Sequence, residues 1–152
     1  MSTGSHGAEM TDEQIAEFLS RQGHGVLSFG GDRPYSLPIS FGYDVADNRC
    51  IFQLVHDGDS EKRARLGEST PVSLVAYDWH TPHDWQSVVV TGRLRPIDDD
   101  SPEAIAAADV FAEHASAIGL SVFSKPLDEL ETRWSSLSID EMSGYRSPRL
   151  DA

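Results

Sequence analysis

The sequence is poor in cysteine, in lysine and in long apolar runs. Cys50 is the single cysteine of the 152 residues, so an internal disulfide and a thiolate zinc cluster are both excluded. No apolar run approaches the roughly 18 residues that a membrane-spanning helix needs. The first ten residues contain no basic segment followed by an apolar stretch, as a secretory signal would. We therefore expect a cytoplasmic protein.

Basic residues are also scarce relative to acidic ones. Lys and Arg total 12 against 25 Asp and Glu, which gives a net charge of −13. This charge repels nucleic acid phosphates and anionic lipids, so we expect neither a nucleic acid nor a membrane as a partner. Self-repulsion of this size is screened within about 3 Å at 1 M salt. The composition therefore predicts a halophilic protein whose fold gains stability from salt; an ordinary acidic protein is the alternative.

Apolar periodicity predicts a mainly β chain with helices. Thr11 can cap a helix that has Gln14 at its third position, and apolar residues at helical spacing follow as far as Gly23. Further helices are predicted at 61–66, at 102–115 and after Pro126. Alternating segments predict six strands, at 26–29, 35–43, 50–55, 71–77, 85–97 and 133–142. Short connections make these strands antiparallel, so we expect a small β-barrel with helical additions.

The chain reads as one domain at 11–146. Residues 1–10 and 147–152 are small, polar and without periodicity, so both are predicted to be disordered tails. Pro38 lies inside the strand predicted at 35–43 and cannot donate a ladder hydrogen bond. That strand should therefore be an edge strand or carry a bulge, where something can approach its backbone.

Motifs that carry common enzyme chemistry are missing. The sequence has no Walker loop, GxGxxG, GxSxG or HExxH, so ATPase and hydrolase functions lose support. His80 and His83 with Asp84 fit a solvated polar loop better than a metal site, and no metal is predicted. Cys50 opens a predicted strand and is expected to be a buried apolar side chain rather than a nucleophile.

One segment concentrates positive charge. Lys62, Arg63 and Arg65 lie within four positions, just after a predicted strand and at the start of a predicted helix. Helix-start amides, the Ser60 hydroxyl and the side chains of Lys62 and Arg63 could together hold a phosphate. The alternative is a solvated helix whose basic residues pair with nearby glutamates, and spacing alone does not separate the two.

Six segments carry a further signal, in the order GHGVLSF, YSLPISFGYD, IFQLVHDGDSEKRARL, PVSLVAYD, WQSVVVTGRLRPI and RWSSLSIDEMSGYRS. Together they resemble the FMN-binding split barrel, the pyridoxamine 5'-phosphate oxidase-like superfamily with its nitroimidazole-resistance-like branch. The resemblance covers about Thr11 to Pro148. The resemblance implies a six-stranded antiparallel split β-barrel. It also implies a homodimer with two FMN molecules in clefts at the interface.

The resemblance also implies which residues contact the cofactor. Lys62 matches the family lysine that meets the FMN phosphate, and Ser60 and Arg63 lie beside it. The other matches fall on three strands: Leu37, Pro38, Ile39 and Ser40 along the isoalloxazine; Gln53, Leu54 and Val55 beside the ring and ribityl chain; and Trp85, Gln86 and Ser87 reaching the cofactor across the dimer. An alternative for Trp85 is that it plugs its own barrel end.

The function implied is an FMN-dependent oxidoreductase acting on an unidentified small molecule, with the chemistry supplied by the flavin. Gln53 and Leu54 stand where relatives often carry a His-Ser or His-Thr pair, and the residues that would hold a pyridoxamine phosphate substrate are not recognisable. The alternatives are a deazaflavin-dependent reductase and a non-catalytic flavin- or haem-binding module.

Overall fold

Residues 7–56, 69–98, 101–114 and 131–148 are described by the computed structural model. Within these ranges the elements are, in chain order, β1 Ala8–Glu9, α1 Asp12–Gln22, β2 His24–Phe29, β3 Tyr35–Ser40, β4 Gly42–Asp44, β5 Arg49–His56, β6 Thr70–Thr81, β7 Asp84–Pro96, α2 Pro102–His114 and β8 Glu131–Arg146. The six longer strands are the six predicted ones. The helices expected at 61–66 and after Pro126 fall outside the described residues.

Helix α1 begins and ends where the sequence predicts. The Gln14 N–H donates to Thr11 Oγ1 at 3.1 Å, and the Thr11 N–H donates to Gln14 Oε1 at 2.9 Å, which is a capping box. The helix ends at Gly23, whose φ of 71° lies in the left-handed region that glycine adopts without strain. Its apolar side is buried through Ile15, Phe18 and Leu19.

The strands of the described residues form a single curled antiparallel sheet in the order β3-β2-β6-β7-β8-β5-β4, and β1 pairs with β8. Strands β3 and β4 lie at opposite ends of this order, yet Phe41 alone separates them in the chain. The sheet must therefore curl until its two ends meet. This is the split barrel that the family resemblance implies.

The prediction of one strand at 35–43 is wrong in one respect, because this segment divides at Phe41 into β3 and β4. The Phe41 N–H leaves the ladder and donates to the Gly23 carbonyl at 2.9 Å, and its side chain is fully buried. Burial of this ring turns the chain from one end of the sheet to the other. Pro38 lies in β3, which forms one end of the sheet, so the expected edge position is confirmed.

Described residues from both predicted tails form backbone hydrogen bonds with strands of the sheet. Ala8 and Glu9 pair with Arg146 and Tyr145, and β8 continues past the predicted end at residue 142. The Ser147 N–H donates to the Trp85 carbonyl at 2.9 Å. Long-range strand pairing orders both segments, and the local sequence carries no sign of it.

Side chains of opposite strand faces pack into two clusters. The larger fills the barrel interior, with Phe18, Phe41 and Phe52 among its fully buried members. The smaller lies on the outer side of β5, where α2 covers the sheet. Its buried members are Ile51, Ile97, Ala104 and Ala107. In the part of the chain that is described, no helix is both long and apolar enough to cross a membrane.

Strands β7 and β8 approach each other closely at Gly92. The pairing register shifts there, since Thr91 lies opposite Glu141 and Gly92 opposite Ile139, which leaves Asp140 as the extra residue of a bulge. A methyl group at Gly92 would overlap the backbone carbonyl of Ser138. Only glycine fits this approach.

Gly92→Ala should therefore lower the free energy of unfolding by about 1–3 kcal/mol, because the two longest strands must separate locally. Gly30→Ala is the matched control, since a methyl group at Gly30 meets no atom within 4 Å. Urea unfolding followed by circular dichroism measures both. Equal midpoints for the two variants would contradict this close approach.

Candidate functional site

The outer surface of the sheet carries an apolar row that crosses four strands. Residues directly opposite each other on antiparallel strands share a face, and here they are Pro38, Val26, Val75 and Val89 on β3, β2, β6 and β7. Pro38 is exposed and Val89 is 38% exposed. Neither side chain belongs to the interior cluster.

Aromatic residues extend this row toward the β6–β7 turn. Tyr77 lies opposite Ser87, which lies opposite Tyr145, and Trp79 lies opposite Trp85. Tyr77 is 59%, Trp79 58% and Tyr145 40% exposed. We call this surface the outer apolar face; its members are Val26, Pro38, Val75, Tyr77, Trp79, Trp85, Val89 and Tyr145. Tyr77, Trp79 and Tyr145 are not among the predicted site residues, although strand alternation places them on the face opposite to the buried residues.

The four predicted contact residues of β3 divide between two faces. Leu37 and Ile39 pack against the interior, and Ile39 is buried there. Pro38 and Ser40 alternate with them and belong to the outer side. A ligand lying along β3 from outside would meet the Pro38 ring and the strand backbone rather than these two aliphatic side chains.

His24 adds a polar group beside this strand. It lies directly opposite Ser40, and its Nδ1 atom is buried with no hydrogen-bond partner. Gln22 Nε2 lies 3.4 Å from the other ring nitrogen and donates to the Tyr77 carbonyl at 2.8 Å. A buried imidazole nitrogen without a partner is costly unless something binds it. His24 is not among the contact residues that the sequence predicts.

The predicted stretch Trp85, Gln86 and Ser87 is anchored within its own chain. The Trp85 backbone N–H donates to Ser147 Oγ at 3.3 Å. The Trp85 indole Nε1–H donates to the Pro82 carbonyl at 3.2 Å. Gln86 Oε1 accepts from Arg21 Nη2 at 2.7 Å, on the side of the sheet that α1 covers. Ser87 lies on the outer apolar face between two tyrosines.

The Trp85 ring also lies against Gly7, since a methyl group at Gly7 would come within 2.6 Å of Trp85 Cη2. Trp85 therefore packs within its own chain, and the alternative in which it plugs its own barrel end stays a prediction. Trp79, directly opposite, has the larger exposed fraction and makes the more accessible aromatic surface.

Within one chain, the β3 and β7 groups are not brought together. Strands β2 and β6 lie between them, and three spacings of about 4.8 Å separate β3 from β7 by roughly 14 Å. Any site that uses Leu37–Ser40 and Trp85–Ser87 in direct contact must take one group from each of two chains.

The remaining predicted contacts lie on β5 and beyond. Gln53 lies opposite Trp134 on the side of β5 that α2 covers, and Leu54 and Val55 continue the strand backbone. Ser60, Lys62 and Arg63 lie outside the described residues. The phosphate contacts therefore stay predictions from the sequence.

Cys50 and His80, two further candidates from the sequence, both lie among the described residues. Cys50 is fully buried, and desolvation raises the pKa of its thiol to about 12, so the thiol stays neutral, as expected for a packing residue. His80 pairs with Asp78 at 3.1 Å on the surface of the β6–β7 turn. Among the described residues, no three His, Cys, Asp or Glu side chains are grouped as metal ligands.

Comparison with solved structures confirms the split-barrel fold. The FAD binding protein of Mycobacterium smegmatis aligns with a TM-score of 0.70 at 16% identity, over 92% of this chain and 98% of that one. An FAD-binding protein of Mesorhizobium loti gives 0.67 at 19%, over 92% and 97%. A candidate 5-nitroimidazole antibiotic resistance protein of Bacteroides thetaiotaomicron gives 0.60 at 17%, over 90% and 85%.

Comparison with curated protein sequences gives no match. A family model described as pyridoxamine 5'-phosphate oxidase matches residues 11–146, which include every strand from β2 to β8. The match has the boundaries that the sequence predicts for the domain. Because it covers most of the chain, this protein belongs to the pyridoxamine 5'-phosphate oxidase family.

Proposed function

We propose that this protein is an FMN-binding oxidoreductase that works as a homodimer and holds the flavin between the outer apolar faces of two protomers. The observation that carries the proposal is the outer apolar face itself, which lies next to an edge strand and a buried, unpartnered imidazole nitrogen. The FAD-binding proteins with the same fold add support for a flavin as the ligand class. The family supports it too.

The described residues fit one side of a flavin ring. An isoalloxazine is flat and apolar on its faces and carries hydrogen-bonding atoms at its edge. Pro38 and Val26 offer a flat apolar surface, and the edge strand β3 offers backbone groups beside it. The His24 Nδ1 atom gives a hydrogen-bonding group two residues along β2 from Val26. Bound there, the flavin would supply hydride or electron transfer.

A second copy of this chain would complete the site. The outer apolar face exposes three aromatic rings and Val89, and surfaces of this kind usually mark an interaction site. None of its members carries a charge, so two copies of a chain with net charge −13 can bring these members together without a buried carboxylate, while Glu9, opposite Tyr145, and Glu141, opposite Thr91, stay at the border. Pairing also allows Ser87 of one copy to approach Pro38 of the other. The contact excludes water from the site.

In this proposal Ser60, Lys62 and Arg63 bind the phosphate of FMN, because Lys62 matches the family lysine that meets this group. Lys62→Ala should weaken FMN binding by roughly 10- to 150-fold, because a charge-assisted contact is worth about 1.5–3 kcal/mol. Riboflavin, which lacks the phosphate, should bind both proteins equally. Fluorescence titration in high salt measures this, with FAD as a third ligand.

Lys125→Ala is the matched control, because it removes the other lysine and changes the net charge by the same amount. It should leave the affinity for FMN unchanged. Equal losses for FMN and riboflavin in the Lys62 variant would place the phosphate elsewhere. Tighter binding of FAD than of FMN by the unmodified protein would replace FMN by FAD in the proposal.

Val89→Glu should dissociate the dimer and weaken FMN binding together, because it places a carboxylate at the β7 end of the apolar row in both copies. Val45→Glu is the matched control, since Val45 is 63% exposed in the β4–β5 turn, away from this face. Light scattering in high salt, with and without FMN, gives the mass. An unmodified protein that binds FMN stoichiometrically as a monomer would contradict the shared site.

A further inference from the structure

Strand β7 carries two free positive charges at the end opposite Trp85. Arg93 and Arg95 are two residues apart, so they share the outer side of the strand, and both are exposed. Within the described residues neither guanidinium has an ion-pair partner. In a chain with 12 basic residues against 25 acidic ones, two unpaired arginines whose Cα atoms are about 7 Å apart are a local concentration of positive charge.

The pairing of β7, β8 and β5 surrounds these charges with hydroxyl groups. Arg93 lies opposite Ser138, which lies opposite Arg49, and Arg95 lies opposite Ser136. A cavity of about 350 Å³ opens at this place, with Arg49, Arg95, Ser136 and Ser138 in its wall. This volume is at the small end of the range of ligand pockets, roughly 300–1,000 Å³.

Ser136 is the second, independent sign of a binding site. The residue is 1% exposed, lines the cavity, and its hydroxyl has no hydrogen-bond partner. A buried hydroxyl without a partner destabilises the folded protein by about 1–3 kcal/mol. A ligand atom in the cavity would remove that cost.

Arg95 supplies the free positive charge in the cavity wall. Arg49 is held by Asp44 at 3.0 Å, by Glu103 at 2.8 Å and by Asp47 at 4.0 Å, which fixes its guanidinium and compensates its charge. Asp47 also lines the cavity, and Arg95 has no ion-pair partner among the described residues. Guanidinium groups bind phosphate and carboxylate oxygens in pairs, which neutral hydroxyls then supplement.

We propose that this cavity binds the oxyanion of a small metabolite, a phosphate or carboxylate group held by Arg95 and Ser136, with Arg93 close by. Arg95 lies eight residues along β7 from Ser87, about 27 Å away. The cavity is therefore separate from the outer apolar face, and the inference does not rest on the proposed flavin function.

Nuclear magnetic resonance titration tests it on the full chain, with ionic strength held constant by potassium chloride. Inorganic phosphate is the first probe and acetate the second, so that the two arms identify the oxyanion. Backbone amide shifts of Asn48, Ser136 and Ser138 should saturate with at least one probe. Arg95→Gln should weaken that binding by roughly 10- to 150-fold and Ser136→Ala by roughly 2- to 12-fold.

Two matched controls separate a site from general electrostatics. Arg33→Gln removes an exposed arginine in the β2–β3 turn. Ser135→Ala removes a buried hydroxyl that also lacks a partner but belongs to the opposite face of β8 and does not line the cavity. Both should bind the probe like the unmodified protein. Absence of saturable shifts with both probes, or equal losses in Arg33→Gln and Arg95→Gln, would overturn the proposal.

Discussion

Burial of Phe41 between two strands that lie at opposite ends of one sheet is the constraint on which the rest of the molecule depends. Since one residue joins β3 to β4, the sheet has to curl until its ends meet, and the interior cluster fills the space enclosed. Gly92 permits the close approach of β7 and β8 that this curl involves. The hydrogen bond from Phe41 to Gly23 ties the turning point to the end of α1.

Curling a sheet whose side chains point to two faces leaves a second set of apolar residues outside. On β5 this outer set is covered by α2, whereas on β3, β2, β6 and β7 no element of the described chain covers it. The two ends of β7 then differ in chemistry, with Trp85, Ser87 and Val89 at one end and Arg93 and Arg95 at the other. An apolar surface can bind a flavin ring or a second copy of this chain, and unpaired guanidinium groups can bind an oxyanion. One strand thus connects two surfaces of opposite character.

Local signals predict much of this fold, and long-range pairing explains what they miss. The cap at Thr11, the stop at Gly23 and the edge position of Pro38 depend on near neighbours and are confirmed. The break at Phe41 and the pairing of Ala8 with Arg146 depend on distant strands, so periodicity alone could not reveal them. The site follows the same rule. Ser87 lies on the outer apolar face, but Gln86 bonds Arg21, and His24 gains significance only once Ser40 is opposite it.

The most direct test of the flavin-bearing dimer is sedimentation velocity of the protein mixed with FMN in high salt, recorded at the visible absorption of the flavin. The predicted result is a single boundary of flavin absorbance that moves with the protein, at twice the 16.7 kDa mass of one chain and with one flavin for each chain. Flavin absorbance that stays behind the protein, or that moves with a single chain, would contradict the account.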